Sequence, residues 1–196
     1  MEVIKYGNFK PLGKQKKKGQ IILTHTSRNV EDYLASLTYR YNGKFDRIPN
    51  YVIKKSGEVL QLLDNIEHTN FFREPNTNRN GIIICLENLG WLEKQPFENH
   101  YVNWIGDIYK GIPFERKWRD YFFWDKYTNN QYESLTTLIK IIMSEMKIPK
   151  EMSGHNTKIN GIEMYKGVVS KSNFDVNSTD VSPSFDFDKL RNMLDI

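Results

Sequence analysis

Two short, unbroken apolar runs constrain this chain most. Residues 20–26 (QIILTHT) and 81–87 (GIIICLE) are rich in β-branched residues and lack the polar alternation of a half-solvated strand. A strand that reads apolar on both faces belongs in the middle of a sheet covered on both sides. Helices able to cover it are legible. Val30, Tyr33, Leu34, Leu37 and Tyr41 recur at helical spacing, with Ser27 or Asn29 as cap and Gly43 as stop. A second helix opens on the Thr128–Gln131 capping box. It carries a buried stripe of Tyr132, Leu135, Leu138 or Ile139, Ile142 and Met146, and ends by Pro149. Residues 50–55 and 58–63 read as strands joined by a Ser56-Gly57 turn. Residues 151–155 read as a short strand or turn, the stretch to about 180 as a long loop, and residues 186–194 as a closing helix. The order implies an α/β fold: a single domain over 1–196 with a central mixed sheet flanked by helices.

Residues 91–127 fit neither period. They hold all four tryptophans together with Pro96 and Pro113, and are expected to form an ordered excursion over one face. Aromatics are 13% of the chain, which argues against disorder and suits a groove that stacks on sugar rings; core packing is the competing use of each ring. The net charge of +4 suits an anionic partner such as a cell wall. Much of it lies in Lys14, Lys16, Lys17 and Lys18, read as a solvated loop, and no basic-aromatic repeat points to nucleic acid. The lone Cys85 permits no internal disulfide and reads as an inert buried thiol. The N-terminus MEVIKYGNFK lacks the apolar core of a signal peptide, and no stretch reaches the ~20 apolar residues of a spanning helix. The expectation is a monomer made in the cytoplasm and delivered to its substrate by other means.

Chemistry enters through the histidines. His25 ends the first buried strand and His155 follows the long helix, both where elements finish and side chains are displayed. A catalytic zinc takes three protein ligands and leaves one position for water, so two histidines and a carboxylate would serve. Two histidines so far apart are, taken alone, more often unrelated.

The surrounding text changes that. ILTHTS, a helix, NYVIKKSGEVLQLL, EHTN, GIIICLEN, a helix, SGHN and DVSPSFDF occur in one order. Over about residues 20–190 the chain resembles the zinc-dependent N-acetylmuramoyl-L-alanine amidases, which share a fold with peptidoglycan recognition proteins and with phage lysozymes that are amidases. The resemblance implies zinc held by His25, by His155 in its Gly-His pair, and by Asp180 in DVSPSFD. Asp175 is a rival for the third place. It also implies peptidoglycan as substrate, cut between the lactyl group of N-acetylmuramic acid and L-Ala. His68 falls on the family's pocket histidine, and Asn88 and Trp91 are expected to bind substrate beside it. Compact length, low cysteine and the phage-like GIIICLEN favour a phage lytic enzyme. A non-catalytic binding module of the same fold is the alternative.

The chain departs from the family pattern in five places. The segment from His155 to Asp180 is more than twice the usual length. Asn50 stands where a histidine is usual, and Cys85 where a general-base glutamate is. The positions of the family's tyrosine and lysine fall on Pro49 and Ser178. Glu87, two residues beyond Cys85 and so on the same strand face, is the expected proton acceptor, and Lys171 the expected oxyanion stabiliser.

Overall fold

The computed structural model describes residues 2–97 and 100–196; Met1 of the N-terminal segment and Glu98 and Asn99 of the aromatic excursion lie outside the described residues. In chain order the elements are β1 (Val3–Lys5), β2 (Gly13–Lys14), β3 (Gln20–His25), α1 (Val30–Gly43), β4 (Tyr51–Ile53), β5 (Val59–Gln61), β6 (Glu67–His68), α2 (Pro75–Asn80), β7 (Gly81–Leu86), β8 (Trp91–Lys94), β9 (Tyr101–Val102), β10 (Ile108–Tyr109), β11 (Phe114–Trp118), β12 (Tyr121–Trp124), α3 (Asn129–Met146), β13 (Gly167–Ser170) and α4 (Phe187–Leu194).

The central sheet runs β1-β5-β4-β7-β3-β13. Only the β4–β5 hairpin is antiparallel; β1 pairs parallel with β5, and β4, β7, β3 and β13 pair parallel in turn. The two apolar runs are the neighbours β3 and β7, and every residue of both is buried. Alternate side chains go to opposite faces. Ile21, Leu23, Ile82, Ile84 and Leu86 pack under α3 and α4 against Leu135, Leu138, Ile139, Ile142 and Leu190. Cys85 and Val52 pack under α1 against Val30, Leu34 and Leu37, while Ile22, Ile83 and Val169 meet Ile162, Phe72 and Phe174. Each such aliphatic chain contributes roughly 1.5–3 kcal/mol on burial, so the register of these strands is strongly held.

Helix α3 begins as its capping box implies. Thr128 Oγ1 accepts from Gln131 N at 3.1 Å, and Gln131 Oε1 accepts from Thr128 N at 3.0 Å. The same glutamine donates from Nε2 to the carbonyls of Glu87 (2.8 Å) and Ile53 (3.4 Å), tying the helix start to the strand ends.

Four local expectations change. Helix α1 is capped by Asn29, which accepts from Asp32 N at 2.9 Å, but its helical backbone stops at Arg40, so Tyr41 is 71% exposed and not on the buried stripe. The stretch expected as a loop to residue 180 contains β13, an edge strand of the central sheet, because Val168 and Val169 have apolar layers waiting on both faces. The N-terminus adds β1. The lysine run is not wholly solvated, since Lys18 is buried and donates to the carbonyls of Gly81 (3.1 Å) and Glu67 (3.2 Å).

The aromatic excursion is a second, antiparallel sheet in the order β10-β9-β8-β12-β11. Trp124 is its buried anchor, Trp91 stacks on Tyr121 at 4.4 Å, and Trp118 packs on Trp124. Asp125, wholly buried, accepts from Lys55 Nζ (2.6 Å) and Leu89 N (2.7 Å), fastening this sheet to the central one. Among the described residues no helix is long and apolar enough to cross a membrane.

Candidate active site

The site forms at the carboxyl ends of β3 and β13, where parallel strands deliver side chains into the crevice above a sheet. His25 is the last residue of β3, and its side chain is fully buried. Its Nδ1 lies 3.0 Å from the Tyr127 hydroxyl, which also accepts from Ser182 N at 3.3 Å. Its Nε2 lies 3.2 Å from Asp180 Oδ1. That contact lacks hydrogen-bond alignment, so Nε2 is a buried nitrogen without a partner.

Asp180 is held from every side. Its Oδ2 accepts from Thr24 Oγ1 (2.5 Å) and Lys171 Nζ (2.9 Å), and its carbonyl accepts from both the amide and the hydroxyl of Ser172 at 2.6 Å. Burial pushes the Asp180 carboxyl up, but Lys171, His25 and Thr24 outweigh it and hold the group well below the usual carboxylate range. Burial lowers His25, with Lys171 adding to that and Asp180 opposing it, so the imidazole is neutral at pH 7. Burial pulls Lys171 down, but the Asp180 charge prevails and raises it, keeping it cationic.

His155 is brought only part of the way. Its carbonyl accepts from Asn173 Nδ2 at 2.9 Å, and its neighbour Asn156 reaches the carbonyl of Val181 at 3.2 Å, so its loop lies against the Asp180 segment. The imidazole itself is exposed, with Nδ1 2.8 Å from Thr157 Oγ1. Among the described residues no group of three His, Cys, Asp or Glu side chains stands ready to hold a metal. Two of the three expected donors fit one: an unpartnered imidazole nitrogen and an ionised carboxylate oxygen side by side. The third, His155, is turned to Thr157 and does not join them. The exposed Asp175 lies in the neighbouring cleft, while Asp180 is the acid that meets His25.

The remaining expected residues divide. Lys171 pairs with Asp180 and lines a cleft of about 970 Å³ shared with Arg47, Phe72, Lys158, Phe174 and Asp175. His68 lines a different depression, of about 260 Å³, with Lys14 and Arg79. Glu87 accepts from Val30 N (3.3 Å) and Lys55 N (2.7 Å), one carboxylate oxygen to each, so it caps α1 and the β4 end. Asn88 is wholly buried; its Oδ1 accepts from Gly90 N and its Nδ2 donates to the Asp125 carbonyl, so it shapes the rim from beneath. Trp91 is half-buried in its stack with Tyr121. Cys85 is buried, pushed up to about 12 by burial against the opposing Tyr33 hydroxyl, which is inert thiol behaviour.

Three residues at the site were not singled out by sequence. Thr24 precedes His25. Tyr127 precedes the Thr128 cap, and that adjacency was its only signal. Gly90 (φ +78°) passes so close to His25 that a β-carbon there would sit 3.3 Å from Nε2.

The sequence matches the N-acetylmuramoyl-L-alanine amidase profile over residues 15–167. No curated protein matches it. Among solved structures, the fold is similar to the N-acetylmuramoyl-L-alanine amidase LysC from Clostridium intestinale URNW, with a TM-score of 0.57, 11% identity, and coverage of 100% of this chain and 99% of that one. It is similar to AmiD from E. coli, solved in complex with the substrate anhydro-N-acetylmuramic acid-L-Ala-D-gamma-Glu-L-Lys, at TM-score 0.53, 17% identity, and coverage of 95% and 60%. The Ph2119 endolysin from the Thermus scotoductus MAT2119 bacteriophage Ph2119 gives TM-score 0.53 and 12% identity over 98% and 99%. On that profile match, which spans most of its length, the chain belongs to the N-acetylmuramoyl-L-alanine amidase family.

Proposed function

We propose that this chain is a single-domain, monomeric zinc amidase that cleaves the bond between N-acetylmuramic acid and L-Ala in bacterial peptidoglycan, as a phage-type lytic enzyme. The observation that carries this reading is the pair formed by His25 Nε2, buried and unpartnered, and Asp180 Oδ1, 3.2 Å away. A lone buried imidazole nitrogen beside an ionised acid is costly unless a cation joins them. His25, Asp180 and His155 would hold the zinc, which when bound supplies a Lewis acid and a water acidic enough to ionise near neutral pH.

The chain's own groups carry the rest. Lys171, cationic and facing the 970 Å³ cleft, is placed to stabilise negative charge on the scissile carbonyl oxygen. Tyr127 orients the His25 ring through Nδ1. Glu87, with both oxygens on backbone amides, is a positioning residue: it fixes the start of α1 and the turn at Lys55. The amidase and the endolysin among the structurally similar proteins support a wall substrate and a lytic role.

One observation favours a second reading, a binding module that grips muramyl peptide without cutting it: the His155 ring faces solvent. Purified wall and metal analysis separate the two. The amidase binds one zinc per chain, clears wall suspensions, and exposes new muramic acid and L-Ala ends. A chelator stops the reaction, zinc restores it, and His155→Ala abolishes it without unfolding the protein. A zinc-loaded chain that binds wall yet releases no ends is the module.

A further inference from the structure

The bond proposed above joins a peptide to a sugar, so its substrate has two arms. The cleft of about 970 Å³ along Lys171 has room for one of them. Trp104 is outside that cleft, yet it is fixed beside the catalytic histidine from another direction. Its indole Nε1 donates to the Ser27 carbonyl at 2.8 Å. Ser27 lies two residues beyond His25, and a β-carbon at Gly90 would touch both His25 Nε2 (3.3 Å) and Ser27 Oγ (3.9 Å). The indole is therefore fixed to the segment that directly follows His25.

The turn that carries it is built to hold it still. Asn103, 3% exposed, sits at the centre of the β9–β10 connection. Its Oδ1 accepts from the amides of Ile105 (3.2 Å) and Asp107 (2.8 Å). Its Nδ2 donates to Asp107 Oδ2 (3.0 Å) and to the Ser27 carbonyl (3.3 Å). Despite this bracing the indole is 50% exposed, while Trp124 is wholly buried and Trp91 is covered by Tyr121. A large, rigid, half-bare aromatic on a braced turn costs apolar exposure that a packing role would not require. The Arg28 guanidinium lies over the ring, 5.1 Å from its centroid, so it covers one indole face and brings hydrogen-bond donors there. The opposite face of the half-exposed indole suits an N-acetylated pyranose: the C–H face of the sugar would lie there, with hydroxyl and acetamido oxygens reaching arginine N–H donors past the ring's edge.

We infer that Trp104 and Arg28 form a glycan subsite that holds the N-acetylglucosamine residue next to the muramoyl group being released. This rests on the amidase reading and adds a second substrate arm to it. The subsite comes from the second, antiparallel sheet and makes the chain prefer polymeric glycan over isolated muramyl peptide.

The test has two arms on the zinc-loaded protein. In the first, kcat/KM is measured on N-acetylmuramoyl-L-Ala-D-isoglutamine and on a soluble glycan strand of several disaccharide-peptides. Trp104→Ala should lower the strand-to-monomer ratio about tenfold through KM, equivalent to about 1.4 kcal/mol, with Trp104→Phe recovering part of it. In the second, binding of N,N′,N″-triacetylchitotriose is followed by tryptophan fluorescence, and Arg28→Ala and Trp104→Phe should each weaken it. An unchanged ratio, or oligosaccharide binding indifferent to both residues, overturns the subsite. A wild-type chain that cuts neither substrate overturns the amidase reading instead, and the oligosaccharide arm still decides the subsite.

Discussion

Replacing Lys171 by methionine removes the cation that lies 2.9 Å from Asp180 Oδ2 while keeping much of the side chain's length and apolar stem. Asp180 is 9% exposed at its side chain and stays behind with the Thr24 hydroxyl and a neutral His25. Breaking a fully buried pair costs about 3–5 kcal/mol. Lys171 is 34% exposed, so solvent already screens part of the pair, and about 1.5–3 kcal/mol is the reasoned loss. For a chain of this length that is a fall of about 3–12 °C in Tm. The pH dependence has a definite sign. Asp180 is an acid held below its unfolded value, so its contribution is complete above pH ~4 and fades as pH falls toward the folded value. The gap between wild type and Lys171→Met should therefore be full at pH 7 and narrow below pH ~4. Saturating zinc should also narrow it at pH 7, because a divalent ion on Oδ1 replaces the missing charge. Calorimetric melts across pH, with and without zinc, read all three effects. A penalty that is the same at pH 3.5 and pH 7 refutes the electrostatic account, and one that zinc leaves untouched refutes Asp180 as a ligand.

Two further perturbations probe the site's rim and the floor of the fold. Gly90→Ala adds a methyl 3.3 Å from His25 Nε2 at φ +78°, whereas Gly106→Ala meets nothing within 4 Å at φ +90°. Both bear the left-handed backbone cost of about 1–2 kcal/mol. Only the first should weaken zinc binding, about tenfold by calorimetric titration, and equal losses would show that His25 is not the nitrogen involved. Lys18, buried and lowered to about 8 by desolvation, gives up its proton in the fold before the unfolded chain does. Wild type should therefore gain stability relative to Lys18→Met between pH 8 and 10.5, by up to about 3 kcal/mol, and denaturation curves that stay parallel over that range would refute it.

What was legible in the sequence, and what was not, follows the range of the interactions involved. β3 and β7 declare themselves because burial on both faces demands uninterrupted apolar residues. The start of α3 does so because a capping box is a local reciprocal bond. β13 was invisible as a strand: four residues, Gly167–Ser170, carry almost no pattern, and their pairing with β3 is set by partners far away in the chain. The same holds for the site. His25 could be singled out because it terminates a legible strand, and Asp180 because the DVSPSFD text around it resembles a family motif. Tyr127 and Thr24 could not, since their roles exist only once Asp180 folds back over the strand ends.

The lengthened segment between His155 and Asp180 now has a physical account. It contributes β13 to the sheet edge, turns through Lys171–Asn173, and knots itself to Asp180 through Ser172. Lys171 thereby approaches the acid from the strand side, although the position two residues before that acid is Ser178. A lysine 9 residues earlier in the chain, at the end of β13, reaches the acid at 2.9 Å instead. The same economy explains Cys85. With no carboxylate at that position, the pocket under α1 closes over as an apolar layer with Tyr33 capping the thiol, and the charge beside His25 is that of the Lys171–Asp180 pair. The charge beside Asp180 is thus set by where β13 ends in space and not by the residues adjacent to the acid in sequence.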